Sequence, residues 1–204
     1  MTDTEEHIQE FARVQPTVAG PELARFMTAM RRLQDTVVAA DPEASVWDDT
    51  AALLEDVCAR LEGHSAPAWV SPVGRAQNLP GHGHPMAPPW TVAESSPDAV
   101  TMRGHFTRYH VGGNNAVHGG VIPLFYDFHF GLLVSAAGRP DSRTAYLHVD
   151  YRQVTPIDVP LTARAWIDSV DGRKLYVRAA MSDVDGNVLS EANGLMIKLL
   201  PHQP

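Results

Sequence analysis

Residues 22–40 carry Leu23, Phe26, Met27, Met30, Leu33, Val37 and Val38 at steps of three and four, the spacing of one apolar helix face. Asp41-Pro42 interrupts the pattern, and Leu53, Leu54, Val57, Cys58 and Leu61 resume it until Gly63, so the first 63 residues predict a helical hairpin. Between residues 64 and 98 stand Pro67, Pro72, Pro80, Pro85, Pro88, Pro89 and Pro97, a density that no helix or central strand tolerates, so an irregular connector is expected. Within it Gly81, His82, Gly83 and His84 read as a solvated loop, because two histidines without a third ligand do not make a metal site.

The remaining span, residues 99–204, changes character. Residues 99–110 alternate like a strand, 118–137 form a long apolar helix, and four strand-like runs follow. In residues 144–151 strict alternation puts Ala145, Leu147, Val149 and Tyr151 on one face and Thr144, Tyr146, His148 and Asp150 on the other. Leu161, Ala163, Ala165 and Ile167 repeat the pattern, and Leu175, Val177, Ala179 and Met181 repeat it again after the Asp171-Gly172 turn. The last run covers residues 188–199, after Asp185-Gly186-Asn187. The expected fold is α+β, an antiparallel sheet wrapped around one long helix, with the helical hairpin as an N-terminal extension. Such a helix should be apolar nearly all round, and Val121, Leu124, Phe125, Phe128, Phe130, Leu132, Leu133 and Val134 fit.

Composition narrows the function classes. A chain of 204 residues with 44% hydrophobic and 20% charged residues is expected to fold as one unit plus the extension. The net charge of −8 works against nucleic acid as a partner, since phosphate binding needs a basic surface. Cys58, the single cysteine, can form no internal disulfide and reads as a small buried apolar residue. The first ten residues, MTDTEEHIQE, lack a signal core or the Arg-rich character of a transit peptide, and no run approaches a membrane span of roughly 18 apolar residues. A cytoplasmic, soluble protein is the expectation.

The candidate chemistry lies in HGGVIPLFYD, from His118 to Asp127. Pro123 fits only the first turn of a helix, so the helix begins near Gly119 or Gly120. Unpaired amides at the positive end of the helix dipole, with glycines that admit close approach, suit an oxygen carrying partial negative charge. Asp127 stands about 10 Å further along the axis, too far to serve the same reacting atom within one subunit. A dimer that sets two such helices side by side would bring Asp127 of one chain to the Gly119-Gly120 turn of the other. Among Pro123, Gly131 and Val134 the carboxylate should be partly desolvated and so more basic. The alternative is that Asp127 bonds a neighbouring backbone or pairs with an arginine.

The His-Gly-Gly turn with an Asp nine residues after the His, on a helix ahead of four strands, resembles the hotdog-fold acyl-CoA thioesterases of the phenylacetyl-CoA thioesterase type. TAYLHVDY, VDGRKLYV and LSEANGLMIKLLP are similar to the vertebrate thioesterase-superfamily member-four kind, and the resemblance covers residues 100–201. It implies Asp127 as general base or nucleophile, the N–H of Gly119 or Gly120 polarising the thioester carbonyl, and Thr144 positioning a water opposite Asp127. His118 would shape the oxyanion turn or orient the loop. Many members of the group carry an Asn six residues before the His, where this chain has Gly112; Asn114 or Asn115 would have to substitute, or backbone donors would act alone. Tyr151, Arg152, Arg173, Lys174 and Asn115 are the candidates for contacts to the substrate and the coenzyme A phosphates, against the simpler reading of an exposed strand edge.

The implied reaction converts an acyl-CoA, of medium or long chain, to free acid and CoA, as part of fatty acid metabolism, in a homodimer or a dimer-of-dimers tetramer with sites at the interface. No cofactor or metal is called for. A non-catalytic acyl-CoA-binding protein is one rival, which the missing Asn favours, and a hotdog dehydratase or hydratase using His129 or His148 is another. Trp69, Met86 and Trp90 could wall an acyl pocket or anchor the connector, and the extension could cover a sheet edge, extend the dimer interface or close over an acyl tunnel.

Overall fold

The computed structural model describes residues 15–67 and 70–200, so the acidic N-terminus and Trp69 lie outside the described residues. Two helices come first, α1 (Pro21–Val37) and α2 (Ala44–Glu62). After the Pro-rich segment come β1 (Thr91–Ser95), β2 (Ala99–Gly104), a short hairpin of β3 (Val111–Gly113) and β4 (Ala116–Val117), and the long helix α3 (Val121–Ala136). The chain then runs up and down through β5 (Ser142–Tyr151), β6 (Leu161–Asp171), β7 (Lys174–Ser182) and β8 (Val188–Lys198). Six strands form one antiparallel sheet in the order β1-β2-β6-β7-β8-β5, and α3 packs against β2, β5, β6 and β8.

Small residues let the helix settle on the sheet. Ala163, Ala165, Ala179 and Ala192 are buried on the inner face, and a Cβ on Gly194 would stand 3.0 Å from the Phe130 ring. Against them α3 presents Ile122, Phe125, Tyr126, His129, Phe130, Leu133 and Val134, all buried. Each large apolar side chain so removed from water contributes about 1.5–3 kcal/mol, before the cost of ordering it. The expectation of an all-round buried helix is only partly met. Gly120, Asp127, Gly131 and Ser135 form an exposed stripe on the side away from the sheet.

The sheet begins earlier than the sequence pattern suggests. Thr91 pairs with Arg103 and Ser95 with Val100, so β1 lies inside the stretch expected to be connector, as a fully exposed edge strand. The strand anticipated over 99–110 stops at Gly104, where a Cβ would meet Trp90 Cγ at 2.5 Å, and gives way to a short helical turn. Trp90 is the anchor of the connector, buried between Phe106 and Phe125 at ring-centre distances of 5.4 and 4.4 Å.

The Gly81–His84 segment is not a solvated loop. Gly81 and Gly83 are buried, His82 sits half-buried with its ring edge-on to Phe128 at 5.5 Å, and the Gly81 N–H donates to the Trp90 carbonyl at 2.8 Å. Helix α1 holds this segment in place: Arg31 donates to the carbonyls of Ala87, Pro80 and His84, and Gln34 to that of Pro85. Helix α2, by contrast, buries none of its residues, and Cys58 on it is exposed rather than buried, because nothing among the described residues covers that helix.

His129, on the buried face of α3, has no exposed surface and shares a 2.9 Å hydrogen bond with the Val100 carbonyl. Burial holds its imidazole neutral, with the pKa pushed down to about 4. In the unfolded chain the same group titrates near 6.5, so the unfolded state binds the extra proton first as pH falls. Stability should therefore drop as pH goes from about 6.5 to about 4. Urea midpoints across that range would show the loss, and His129→Gln should flatten part of the slope; His82 and His110, also depressed by burial, retain the rest.

Candidate active site

The turn that leads into α3 is built from three short elements. Asn114 and Asn115 both adopt positive φ, 51° and 56°, which gives β3 and β4 the tight turn a two-residue hairpin needs. The hairpin is tied to its surroundings by Val117 N–H donating to the Thr155 carbonyl and His118 N–H to the His110 carbonyl, at 2.9 and 2.8 Å. From there the chain passes through His118, Gly119 and Gly120 into α3, with Gly120 as its N-cap.

His118 decides which amide is available. Its Nδ1 accepts the Gly120 N–H at 3.0 Å, so that donor is occupied, and the neutral ring then carries its proton on Nε2. Among the described residues nothing accepts the Gly119 N–H, while the Gly119 carbonyl accepts the Tyr151 hydroxyl at 2.7 Å. Both bonds fall on the Gly119–Gly120 peptide, and the Gly119 N–H on the preceding peptide is left without an acceptor among the described residues, just ahead of the helix. Tyr151 thus sits at this turn, a placement that no spacing in the sequence signals.

Gly112 is explained by the same turn. A Cβ there would lie 2.8 Å from His118 Cα and 3.1 Å from His118 Cβ, so no side chain fits while His118 holds its place. The Asn that the resemblance expects is excluded sterically. Asn115 sits on the hairpin, its carbonyl taken by the Ile157 N–H at 3.3 Å.

Asp127 lies about two turns along α3, near 10 Å from Gly120 by helix rise. Its Oδ1 accepts a hydrogen bond from Thr144 Oγ1 at 2.7 Å. Among the described residues it bonds neither a neighbouring backbone nor an arginine, the alternatives that the sequence leaves open. Strict alternation had put Thr144 on the face opposite Leu147; a bulge between Thr144 and Tyr146 resets the pleat and turns both toward the helix. The predicted desolvation is absent within one subunit, for Asp127 and Thr144 are both exposed. The side of α3 that would have to bury them is the open stripe.

The cationic candidates fall at two places. Arg173 and Lys174 lie at the β6–β7 turn, where Lys174 pairs with Ile197 and Ile197 with Arg143, one position from Thr144. Arg173 donates to the Lys198 carbonyl at 3.0 Å. Arg152 follows the other end of β5, beside Tyr151, and is engaged by Glu191 at 2.7 Å and Asp150 at 3.5 Å. From Thr144 to Tyr151 the strand spans about 23 Å, so one subunit does not bring Arg152 together with Arg173 and Lys174. Neither histidine suggested for dehydratase chemistry is bonded to Asp127. His129 is buried on Val100, and the exposed His148 shares its contact with Asp150.

Two recesses open on either side of the His118–Gly120 turn. One, of about 400 Å³, is lined by Ala116, Gly119, Ile122, Tyr151 and Arg152. The other, of about 600 Å³, lies between α3 and the N-terminal extension, against Val121 and Leu124. Among the described residues no group of three or more His, Cys, Asp or Glu is placed to hold a metal ion, and no helix is long and apolar enough to cross a membrane. The steric reading of Gly112 predicts that Gly112→Asn, which restores the side chain common in the family, costs about 1–3 kcal/mol of stability by overpacking against His118; chemical denaturation measures it.

Residues 114–190 match the family model for the thioesterase superfamily. Over 89 residues the chain is 32% identical to the acyl-coenzyme A thioesterase THEM4 of Rattus norvegicus, covering 43% of this chain and 38% of that protein. The Bos taurus protein of the same name is 30% identical over 96 residues, 47% of this chain and 39% of its own length. The match therefore spans about two-fifths of these relatives. A solved thioesterase-superfamily protein superposes with a TM-score of 0.77 at 26% identity, over 90% of this chain and 94% of its own, which takes in much of the N-terminal extension. A hypothetical thioesterase of Streptococcus pneumoniae, solved with coenzyme A, shares the fold at a TM-score of 0.52 and 16% identity, over 54% of this chain and 85% of its own. The chain carries the hotdog fold, and within it residues 114–190 are similar to the thioesterase superfamily.

Proposed function

We propose that the protein hydrolyses acyl-CoA thioesters of medium or long chain, releasing free acid and CoA. The observation that carries this reading is the Thr144–Asp127 hydrogen bond of 2.7 Å on the open stripe of a helix, with the Gly119 N–H just ahead of that helix unpaired among the described residues. A thioester is opened by stabilising the oxyanion that forms at its carbonyl, and a fixed backbone donor at a helix N-terminus does so without reorganising. Gly119 supplies that donor in this reading, with His118 and Tyr151 holding it in place.

Asp127 has Oδ2 left for chemistry once Thr144 occupies Oδ1. Acting as base it takes a proton from water as the water attacks the carbonyl carbon; acting as nucleophile it forms an anhydride that water then opens. In either case the C–S bond breaks and CoA leaves as thiol. The separation of about 12 Å from Gly119 to Asp127 supports drawing the two functions from two chains of a homodimer, alone or paired into a tetramer, in which two open stripes would face each other. Covering Asp127 in that interface would supply the desolvation that the single chain lacks and raise its basicity. Arg152 at the Gly119 end, or Arg173 and Lys174 reaching in from the partner's Asp127 end, would meet the CoA phosphates.

Asp127→Asn should lower thiol release from acyl-CoA about 10²–10⁴-fold with the fold retained, measured with a thiol-reactive dye on acyl chains from acetyl to stearoyl. Full turnover by that variant would remove the mechanism, and a wild-type chain that binds acyl-CoA without turnover would make the protein a binder. The two-chain site has its own test. Gly119→Pro deletes the donor N–H, and co-refolding it with Asp127→Asn should restore activity that neither variant has alone, because mixed dimers regain one intact site. A mixture as inactive as its components would place the whole site within one subunit.

A further inference from the structure

The recess of about 600 Å³ starts at His118, beside the Gly119 turn, and runs along α3 past Val121 and Leu124. Its opposite wall is formed by Gln34 of α1, Pro85 and Met86 of the connector, and Tyr109. All four of these residues lie outside residues 114–190, the part matched to the superfamily: Gln34 on the extension, Pro85 and Met86 on the connector that α1 holds, and Tyr109 early in the sheet domain. No Asp, Glu, Lys or Arg lines the recess. An apolar tail is therefore favoured there over phosphates, which find Arg152 in the recess on the other side of the turn.

The wall is fixed except at one point. Arg31 and Gln34 hold four connector carbonyls, and Asp35 accepts the Tyr109 N–H at 2.9 Å. Met86 stands between these anchors with its side chain 59% exposed, and a thioether on three rotatable bonds adapts to what lies against it. Beyond Leu124 the connector returns to the helix, where His82 meets Phe128. From Gly119 to Phe128 helix rise gives about 13 Å, the reach of a medium acyl chain rather than a long one.

On the reading that the protein hydrolyses acyl-CoA, we infer that this groove receives the acyl chain and that Met86, on the connector that the N-terminal extension holds in place, sets the length accepted. A carbonyl held at Gly119 sends its acyl tail toward Leu124 on one side and its CoA arm toward Arg152 on the other. The extension is then a specificity element, and the preferred substrates are medium-chain acyl-CoAs.

The test compares kcat/KM for acetyl-, octanoyl- and palmitoyl-CoA in the full-length wild type, Met86→Trp and Met86→Ala. Filling the groove with Trp should lower the octanoyl-to-acetyl ratio about tenfold or more, and Ala should raise the palmitoyl-to-octanoyl ratio, in keeping with what a few methylenes are worth in an apolar pocket. Hydrolysis with unchanged ratios in both variants overturns the groove while leaving the reaction standing. A wild type that hydrolyses none of the three defeats the reaction, and the groove is then judged by titrating the non-hydrolysable thioether S-octyl-CoA: binding about tenfold weaker in Met86→Trp than in wild type supports it, and equal binding or none overturns it.

Discussion

One rigid helix imposes the constraint from which the rest follows. The Gly119 donor just ahead of α3 and the carboxylate on the helix flank lie about 12 Å apart along the axis, because helix rise does not stretch. Packing cannot shorten that distance, since the same helix is pinned by seven buried side chains to the sheet beneath it. A chemistry that needs both groups on one carbonyl therefore has to draw them from two chains. The geometry of the single chain agrees with that need in a second way: the side of α3 turned away from the sheet is the side that carries Gly120, Asp127 and Gly131, and it is left open.

The turn ahead of α3 shows how one donor is selected from several. A helix N-terminus offers up to four unpaired amides, which water or side chains ordinarily take. Here the His118 ring takes one and the Tyr151 hydroxyl fixes the adjoining carbonyl, so the peptide between them has little freedom left. Gly112 is part of the same device, since only a residue without a side chain lets the hairpin lie against His118. The Asn that the resemblance expects at this position has no room beside His118 in this arrangement.

Much of this architecture is legible in the sequence because it rests on repeating patterns. The apolar alternation of Leu161 to Ile167 and Leu175 to Met181, and the position of Pro123, place β6, β7 and the start of α3 without a structure. What escapes is what depends on breaks in pattern or on partners distant in the chain. The bulge at Ala145 reverses which face Thr144 occupies, and nothing in TAYLHVDY marks it. Cys58 looks buried because it falls in an apolar helical repeat, yet a repeat states only which face could be covered, not that something covers it. Gly81 and Gly83 look like loop residues because glycine usually is, whereas here they are buried where the connector folds on itself, with a Cβ on Gly81 standing 2.8 Å from the Pro88 carbonyl oxygen.

The Pro-rich connector poses a problem that α1 resolves. Each proline brings a carbonyl but no N–H, so a segment containing Pro80, Pro85, Pro88 and Pro89 has more acceptors than donors and cannot satisfy itself by folding back. Carbonyls left unpaired in a half-buried wall each cost roughly 1–3 kcal/mol. Arg31 answers with a planar fork of donors spread over three of them, and Gln34, one turn on, takes a fourth. Two side chains on one helix face thereby turn a stretch with no regular structure into a defined wall. An arginine is suited to this because its charge does not depend on pH and its donors diverge; a lysine would present a single point charge to the same carbonyls. The extension is thus joined to the sheet-and-helix domain by polar bonds to a chain that prolines have already made stiff, with a small apolar cluster of Met27 against Ala76 and Leu79 beside them.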